Sequence, residues 1–527
     1  MTARLSLFDI IISHGDVIDG TKSPRFRADV GIQGDRIAAI GDLSNASARE
    51  TIDAAGKIIA PGFIDVHNHS DGWLLKTPHL TPKTLQGFTT EILMADGISY
   101  APVNESTAAQ WIFYLRALNG LRLDEYRGWK SWGDYMRLLD GHAAQNSAAH
   151  LPYANIRSMI CGFGRGAVDD FQMRQIQYET RRGMEEGAVG LSTGLDYIVQ
   201  CFSTTDELVQ ACSAMSSYGG IYVTHVRYKK GLLPALNEAI EIGRRANVPV
   251  HISHLKVQPP YTHEQVFELL ADARRDVDVT YDVYPYQPGS TMLNYFLPYE
   301  AWEDGPLATM HLLHEPEILK RFRDGLNALR LDLDHVRIAW VASKENSHHQ
   351  GKTLQEYVDE SGKPADHALF ELLIEERLAV LCVMDEGDDA LVWPFLQHEL
   401  YMMGTDGIYF PDAQVHPRMY GSVGRFLGRC VRDLKLFTLE EAVAKLSSVA
   451  AQRFKLVDRG TLAATKFADV VVLDPNMISD EATFETPEAP TRGVDYVFVN
   501  GETIVREGKT TERKHERMPG RFLQFGR

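Results

Sequence analysis

At 527 residues the chain is longer than a single hydrophobic core ordinarily serves, so one large and one smaller domain are expected. Its 44% hydrophobic and 24% charged residues have the balance of a folded globular protein and exclude a disordered one. A net charge of −17 excludes sequence-independent binding to nucleic acid, because neutralising phosphates takes a basic face.

Near the N-terminus Leu5, Leu7, Phe8, Ile10, Ile11 and Ile12 are apolar, but Asp9 interrupts them and no small-residue cleavage site follows. No run approaches the about 18 apolar residues of a membrane helix. A cytoplasmic protein with no membrane partner is therefore expected. Cys161, Cys201, Cys212, Cys382 and Cys430 contain no CxxC pair, which leaves neither a disulfide framework nor a cysteine zinc site.

The first sixty residues alternate short β-rich runs with Gly-Asp and Asp-Gly turns, as in Asp29-Val30-Gly31-Ile32 followed by Gly34-Asp35. The C-terminal part repeats the style in Val470-Val471-Val472-Leu473 and Val497-Phe498-Val499-Asn500-Gly501. One small β-sandwich domain built from both termini, residues 1–60 plus 455–527, is the expectation. Between them, over 61–454, apolar strand-like runs near 89–94, 188–192, 221–225, 248–254, 277–284 and 400–406 alternate with amphipathic stretches. Thr204-Thr205-Asp206-Glu207 opens one such stretch as a capping box. This alternation predicts an α/β fold with a parallel sheet, at this length a (β/α)8 TIM barrel. The segment at about 291–335, with Gly305-Pro306 and Glu315-Pro316, is expected to be an insertion.

Within Ile64-Asp65-Val66-His67-Asn68-His69, two imidazoles stand one residue apart at a strand end. Strand alternation turns residues i and i+2 to one side, so both rings can grip one borderline metal such as zinc. Asp96, His225, His254 and Asp406 likewise end β-type runs. In a parallel barrel such ends share one face, where residues distant in sequence converge. Taken singly, each has an ordinary alternative: a satisfied buried histidine, or a turn-forming aspartate.

Pro61-Gly62-Phe63-Ile64-Asp65-Val66-His67-Asn68-His69 resembles the opening strand of the amidohydrolase superfamily. Gly190-Leu191-Ser192-Thr193-Gly194, Thr224-His225-Val226-Arg227, Ser253-His254-Leu255-Lys256, Tyr284-Pro285-Tyr286, Gly289-Ser290-Thr291 and His416-Pro417-Arg418 are similar to the D-aminoacylase (N-acyl-D-amino-acid deacylase) family, in the same order and over nearly the whole chain. The resemblance implies a zinc-dependent hydrolase of N-acyl-D-amino acids or of a related small carboxylate-bearing amide. It places His67, His69 and Asp406 at one metal position and His225 and His254 at the other. It also makes Asp406 the general base, and gives Lys256, Tyr284, Ser290 and Arg418 the task of holding the substrate carboxylate. The chemistry agrees, since a divalent cation acidifies water and polarises a carbonyl, while an arginine fork suits a carboxylate.

The sequence departs from the family where D-aminoacylases carry a cysteine ligand: Met94-Ala95-Asp96-Gly97 places Asp96 there. Asp96 is then the leading candidate for a shared ligand, and a carboxylate, harder than a thiolate, would admit Mn2+ or Fe2+ and one or two metals. The change also keeps open a cyclic-amide hydrolase of the hydantoinase or dihydroorotase kind. A non-catalytic assembly protein on the same scaffold, which would have shed its ligands, and a nucleobase deaminase rank lower. Association into a homo-oligomer is left open.

Overall fold

A computed structural model describes residues 8–257, 259–329, 331–511 and 517–527; the first seven residues of the expected N-terminal β domain and residues 512–516 of its C-terminal part lie outside it. Two parallel sheets form the centre. One runs Leu151–Pro152, Gly190–Gly194, Ile221–His225, Val250–Ile252, Val279–Val283, Tyr401–Met403, and the other Phe63–Asp65, Phe88–Leu93, Asn146–Ala149. Backbone hydrogen bonds join them at both edges: Val66 N to Met403 O at 3.1 Å, and Val189 N to Ala149 O at 3.0 Å. Every carboxyl end therefore points to one side.

Helices separate these strands, and local sequence explains their limits. Leu232–Ala246 buries Leu232, Ala235, Leu236, Ala239, Ile240 and Gly243, the three-to-four spacing of a single face, and Asn247 stops it in the left-handed conformation at φ 54°. Burying each leucine or isoleucine contributes about 1.5–3 kcal/mol. Thr204 caps Thr205–Ser213 as expected, accepting from Glu207 N. The box stays half-formed, because the Glu207 side chain instead accepts from Arg157 Nε at 2.8 Å and Ser203 Oγ at 2.7 Å.

A nine-stranded sheet draws on both ends of the chain. Ile58–Pro61 lies parallel to Phe8–Val17 and antiparallel to Val470–Leu473, which stitches the two ends together. Asn500 (φ 49°) and Gly501 (φ 80°) make the two-residue turn between Val494–Val499 and Glu502–Arg506; both need positive φ, and a Cβ at Gly501 would stand 2.0 Å from Gly34 O. The last residues leave this sheet and lie along Asn146–Ala149, with Leu523 N donating to Ser147 O at 2.8 Å.

The interruption expected at about 291–335 is longer. Between Val279–Val283 and Tyr401–Met403 the chain builds a three-stranded antiparallel sheet in the order Ser290–Met292, Val380–Met384, Val336–Val341. Helices Pro306–Leu312, Pro316–Leu329, Leu354–Ser361 and Ala365–Glu375 flank it. Its strand and helix lengths match those of the parallel units, so only pairing direction sets it apart. Among the described residues no helix is long and apolar enough to cross a membrane.

Candidate active site

His67, Asn68 and His69 follow Phe63–Asp65 and are locked to the segment after Tyr401–Met403: Asp406 N donates to His67 O at 2.7 Å, and His69 N to Gly407 O at 3.0 Å. Beneath this joint Asp65 and Lys83, both fully buried, pair with each other and with Thr405; Thr405 N donates to Asp65 Oδ1 at 2.8 Å. Asp65 thereby binds the first parallel strand to the last.

Asp96 follows Phe88–Leu93 in a tight loop. Asp71 accepts from Met94 N at 3.0 Å, Ser99 Oγ at 2.7 Å and Asn119 Nδ2 at 2.8 Å, and Gln200 Nε2 donates to Asp96 O at 2.8 Å. Asp96, His254 and Asp406 all take left-handed backbone, with φ of 57°, 38° and 48°. Such conformations cost roughly 1–3 kcal/mol each and persist where surroundings over-determine them, as at functional sites.

The side chains converge. Asp96 Oδ1 lies 3.6 Å from His67 Nε2 and 3.9 Å from His254 Nε2, and its Oδ2 lies 3.7 Å from His69 Nε2, so the carboxylate stands between the histidine pairs. Asp406 Oδ1 is 3.1 Å from His69 Nε2 and 3.7 Å from His67 Nε2. His225 Nδ1 and His254 Nε2 are 2.9 Å apart. Three overlapping triplets, His67 with His254 and Asp406, His67 with His69 and Asp96, and Asp96 with His225 and His254, each bring ligand atoms within 4.8 Å.

These residues fit a divalent cation. Among the described residues neither ring nitrogen of His67 nor Oδ1 of Asp96 makes a hydrogen bond although all three are buried, which leaves their polar capacity free for a cation. Burial opposes charge on His67, but Asp282, Asp96 and Asp406 together outweigh it and push its pKa up to about 10. A pocket this rich in carboxylate calls for positive charge. His254, by contrast, is driven down to about 3 by burial and by His225 beside it, which favours a neutral imidazole there. Burial works against ionised Asp406, yet Arg418, His69 and His67 hold its carboxyl well below the usual range.

Lys256, Tyr284, Ser290 and Arg418 gather at one side. Tyr284 lies between two cations, with Lys256 Nζ 3.6 Å and Arg418 Cζ 4.3 Å from its ring centre. Lys256 donates to Gln287 O and Pro288 O at 2.9 and 3.1 Å, and Ser290 Oγ to Cys382 O at 2.8 Å. Arg418 is fully buried, its Nη1 3.0 Å from Asp406 Oδ2, yet none of its guanidinium nitrogens makes a well-directed hydrogen bond among the described residues. Burial and the Arg418 charge pull the Lys256 ammonium well below its usual value, so an anion between them would relieve both. A cavity of about 610 Å3 opens over the site, lined by His69, Asp96, His225, His254, Lys256, Tyr284, Ser290 and Asp406. His67 and Arg418 lie below its surface. A second cavity of equal volume, near Arg459 and Phe467, lies away from these residues.

Sequence reasoning missed the residues that orient this set. Asp282 approaches His67 Nδ1 at 3.5 Å, and accepts from His254 N at 2.9 Å and pairs with His251 Nε2 at 3.0 Å. A charge inside the buried run Val279–Val283 was its available signal, because a buried carboxylate needs partners. Asp196 and Lys83 had none.

The profile of the amidohydrolase family matches residues 50–304 and 398–505, leaving out most of the inserted unit. The chain belongs to the amidohydrolase family. D-aminoacylase of Alcaligenes xylosoxydans xylosoxydans is 35% identical over 95% of each chain. N-acyl-D-glutamate deacylase of the same organism is 34% identical over 98% of this chain and 96% of its own length. The crystal structure of N-acyl-D-glutamate deacylase from Bordetella bronchiseptica, complexed with zinc and a phosphonate inhibitor that mimics the reaction's tetrahedral intermediate, is 30% identical. It superposes with a TM-score of 0.84 over 98% of this chain and all of that one. This amidohydrolase is accordingly a D-aminoacylase-like, metal-dependent enzyme with the amidohydrolase fold.

Proposed function

We propose that this amidohydrolase cleaves the amide of N-acyl-D-amino acids, or of a closely related N-acyl compound bearing a carboxylate, with zinc at the mouth of a (β/α)8 barrel. The observation that carries this reading is Arg418, a buried guanidinium that makes no well-directed hydrogen bond among the described residues, set with Lys256 around Tyr284 and directly beside Asp406. The hydrogen bonds joining the two parallel sheets at both edges support barrel closure, and the nine-stranded sheet supports a small β domain formed from both ends.

His67, His69 and Asp406 would hold one metal, His225 and His254 the other, with Asp96 shared. When bound, zinc supplies Lewis acidity that polarises the scissile carbonyl and lowers the pKa of water. The substrate carboxylate docks on Arg418, Lys256, Tyr284 and Ser290, which presents the amide to the ligand cluster. Asp406 takes the proton from the attacking water and delivers it to the leaving amine nitrogen. Docking also prepares that step: the incoming carboxylate shares the guanidinium that holds Asp406 so acidic, and sharing returns basicity to Asp406. Ring opening of a cyclic amide has less support, because Gly190–Gly194 carries no lysine that carboxylation could turn into a metal bridge.

A hydrolysis screen of N-acetyl, N-formyl and N-succinyl D- and L-amino acids beside hydantoins, with metal content measured on the same sample, tests the reading. Release of free D-amino acids by zinc-containing protein is expected; turnover confined to neutral amides or hydantoins would refute it.

A further inference from the structure

We infer that Asp196, held by Tyr295 and Tyr299, is the positioning residue for His225, so that the start of the insertion completes the outer side of the metal centre. The inference rests on the metal reading above. Asp196 is only 2% exposed, and its Oδ2 approaches His225 Nε2 at 3.5 Å, while His225 Nδ1 faces His254 on the opposite edge of the ring. His225 Nε2 is buried and makes no well-directed hydrogen bond among the described residues, so the Asp196 charge beside it favours the proton on that nitrogen and leaves the Nδ1 lone pair for the cation, the usual way a protein sets both tautomer and ring angle of a metal-binding histidine.

The carboxylate is itself fixed by the insertion. Tyr299 Oη donates to Asp196 Oδ1 at 3.1 Å and Tyr295 Oη to Oδ2 at 3.3 Å, and the backbone N of Lys229 adds a third donor at 3.2 Å. The Lys229 ammonium lies 3.9 Å and 4.7 Å from the centres of the two tyrosine rings and donates to Tyr295 O at 3.0 Å, which pins both rings. Tyr197 packs on His225 at 4.7 Å between ring centres and on Tyr295 at 5.8 Å, closing the contact from the other side. Asp196 follows a barrel strand, whereas both phenols come from 293–302. Metal affinity and docking of that segment are therefore coupled, and coupling of this kind is reciprocal.

The test uses full-length protein stripped with a chelator and titrated with Zn2+, with Co2+ as a spectroscopic probe, and hydrogen exchange followed over 293–302. Asp196→Asn and the doubly substituted Tyr295→Phe/Tyr299→Phe are each expected to weaken one metal equivalent by about 10- to 100-fold. They should also change the visible spectrum of bound Co2+ and abolish the protection that metal confers on 293–302 in the unaltered protein. The phenylalanine variant keeps both rings, so a loss there reports the hydroxyls and not the packing. Unchanged Zn2+ affinity and Co2+ spectrum in both variants would overturn the inference, whereas an unaltered protein that binds no metal would overturn the metal reading beneath it as well.

Discussion

Arg418 and Asp406 stand 3.0 Å apart through Nη1 and Oδ2, and this one contact joins the proposed carboxylate clamp to the candidate base. Under the proposed function this guanidinium is shared when substrate arrives. Replacing Arg418 by Met is expected to lower kcat/KM for N-acyl-D-amino acids by about 30- to 1000-fold, the equivalent of about 2–4 kcal/mol for a buried charge-assisted pair. The matching amino-acid amides, which lack the carboxylate, should lose far less. Steady-state kinetics on the two series makes the comparison.

Asp406→Asn removes the proposed proton acceptor but leaves Asp96, His225 and His254 in place. A fall in kcat of about 10²- to 10⁴-fold is expected. Metal analysis of the same sample should still find at least one equivalent per chain, because that triplet does not use Asp406.

Asp96 lies between both histidine pairs, so Asp96→Ala should reduce metal content more than the loss of any single histidine. Asp96→Cys, which introduces a soft thiolate, should raise preference for zinc over manganese. Competition titrations with the two ions measure the ratio, and an unchanged ratio with full metal content in the alanine variant would remove Asp96 from the ligand set.

Glu91 lies fully buried within Phe88–Leu93, accepting from Gln145 Nε2 at 3.0 Å. Burial, aided by Asp65 and opposed by Lys83, pushes its carboxyl from the ordinary 4.5 up to about 7. Because the folded value is raised, the fold favours the neutral acid. That stabilisation is complete below pH 4.5, drains away as pH rises, and is lost above about 7. Glu91→Gln, always neutral, should match the unaltered protein at pH 4.5 and exceed its stability at pH 8 by on the order of 3 kcal/mol. Urea denaturation at the two pH values reads the difference.

Lys83 and Asp65 form a fully buried pair below the candidate ligands. Lys83→Met alone should destabilise by about 3–5 kcal/mol, since it strands a buried carboxylate, and Lys83→Met with Asp65→Asn should recover part of that. Denaturant unfolding of the single and double variants checks both steps.

Much of the site could be read before the fold was known, because each candidate ligand is a His or Asp placed where an apolar run stops. His225 ends its strand as expected. His254 and Asp406 instead sit two or three residues beyond Val250–Ile252 and Tyr401–Met403, in left-handed backbone that a period-two pattern does not register. Lys256, Tyr284, Ser290 and Arg418 were legible through family resemblance, yet nothing in the chain announced that Arg418 would face Asp406.

By itself the sequence determined what is local: alternating strands and helices, the Asn500-Gly501 turn, the turn-prone β-rich ends, and the histidines and aspartates that are the candidate metal ligands. Tertiary structure decided what depends on apposition. Only folding shows that Val336–Val341 and Val380–Met384 pair antiparallel in an inserted unit, because strand direction depends on the partner and not on the strand's own residues. Likewise Asp282, Asp196 and Lys83 meet their partners only through the side chains that chain reversal placed against them. A buried charge is defined by its partner, and that partner is far away in sequence.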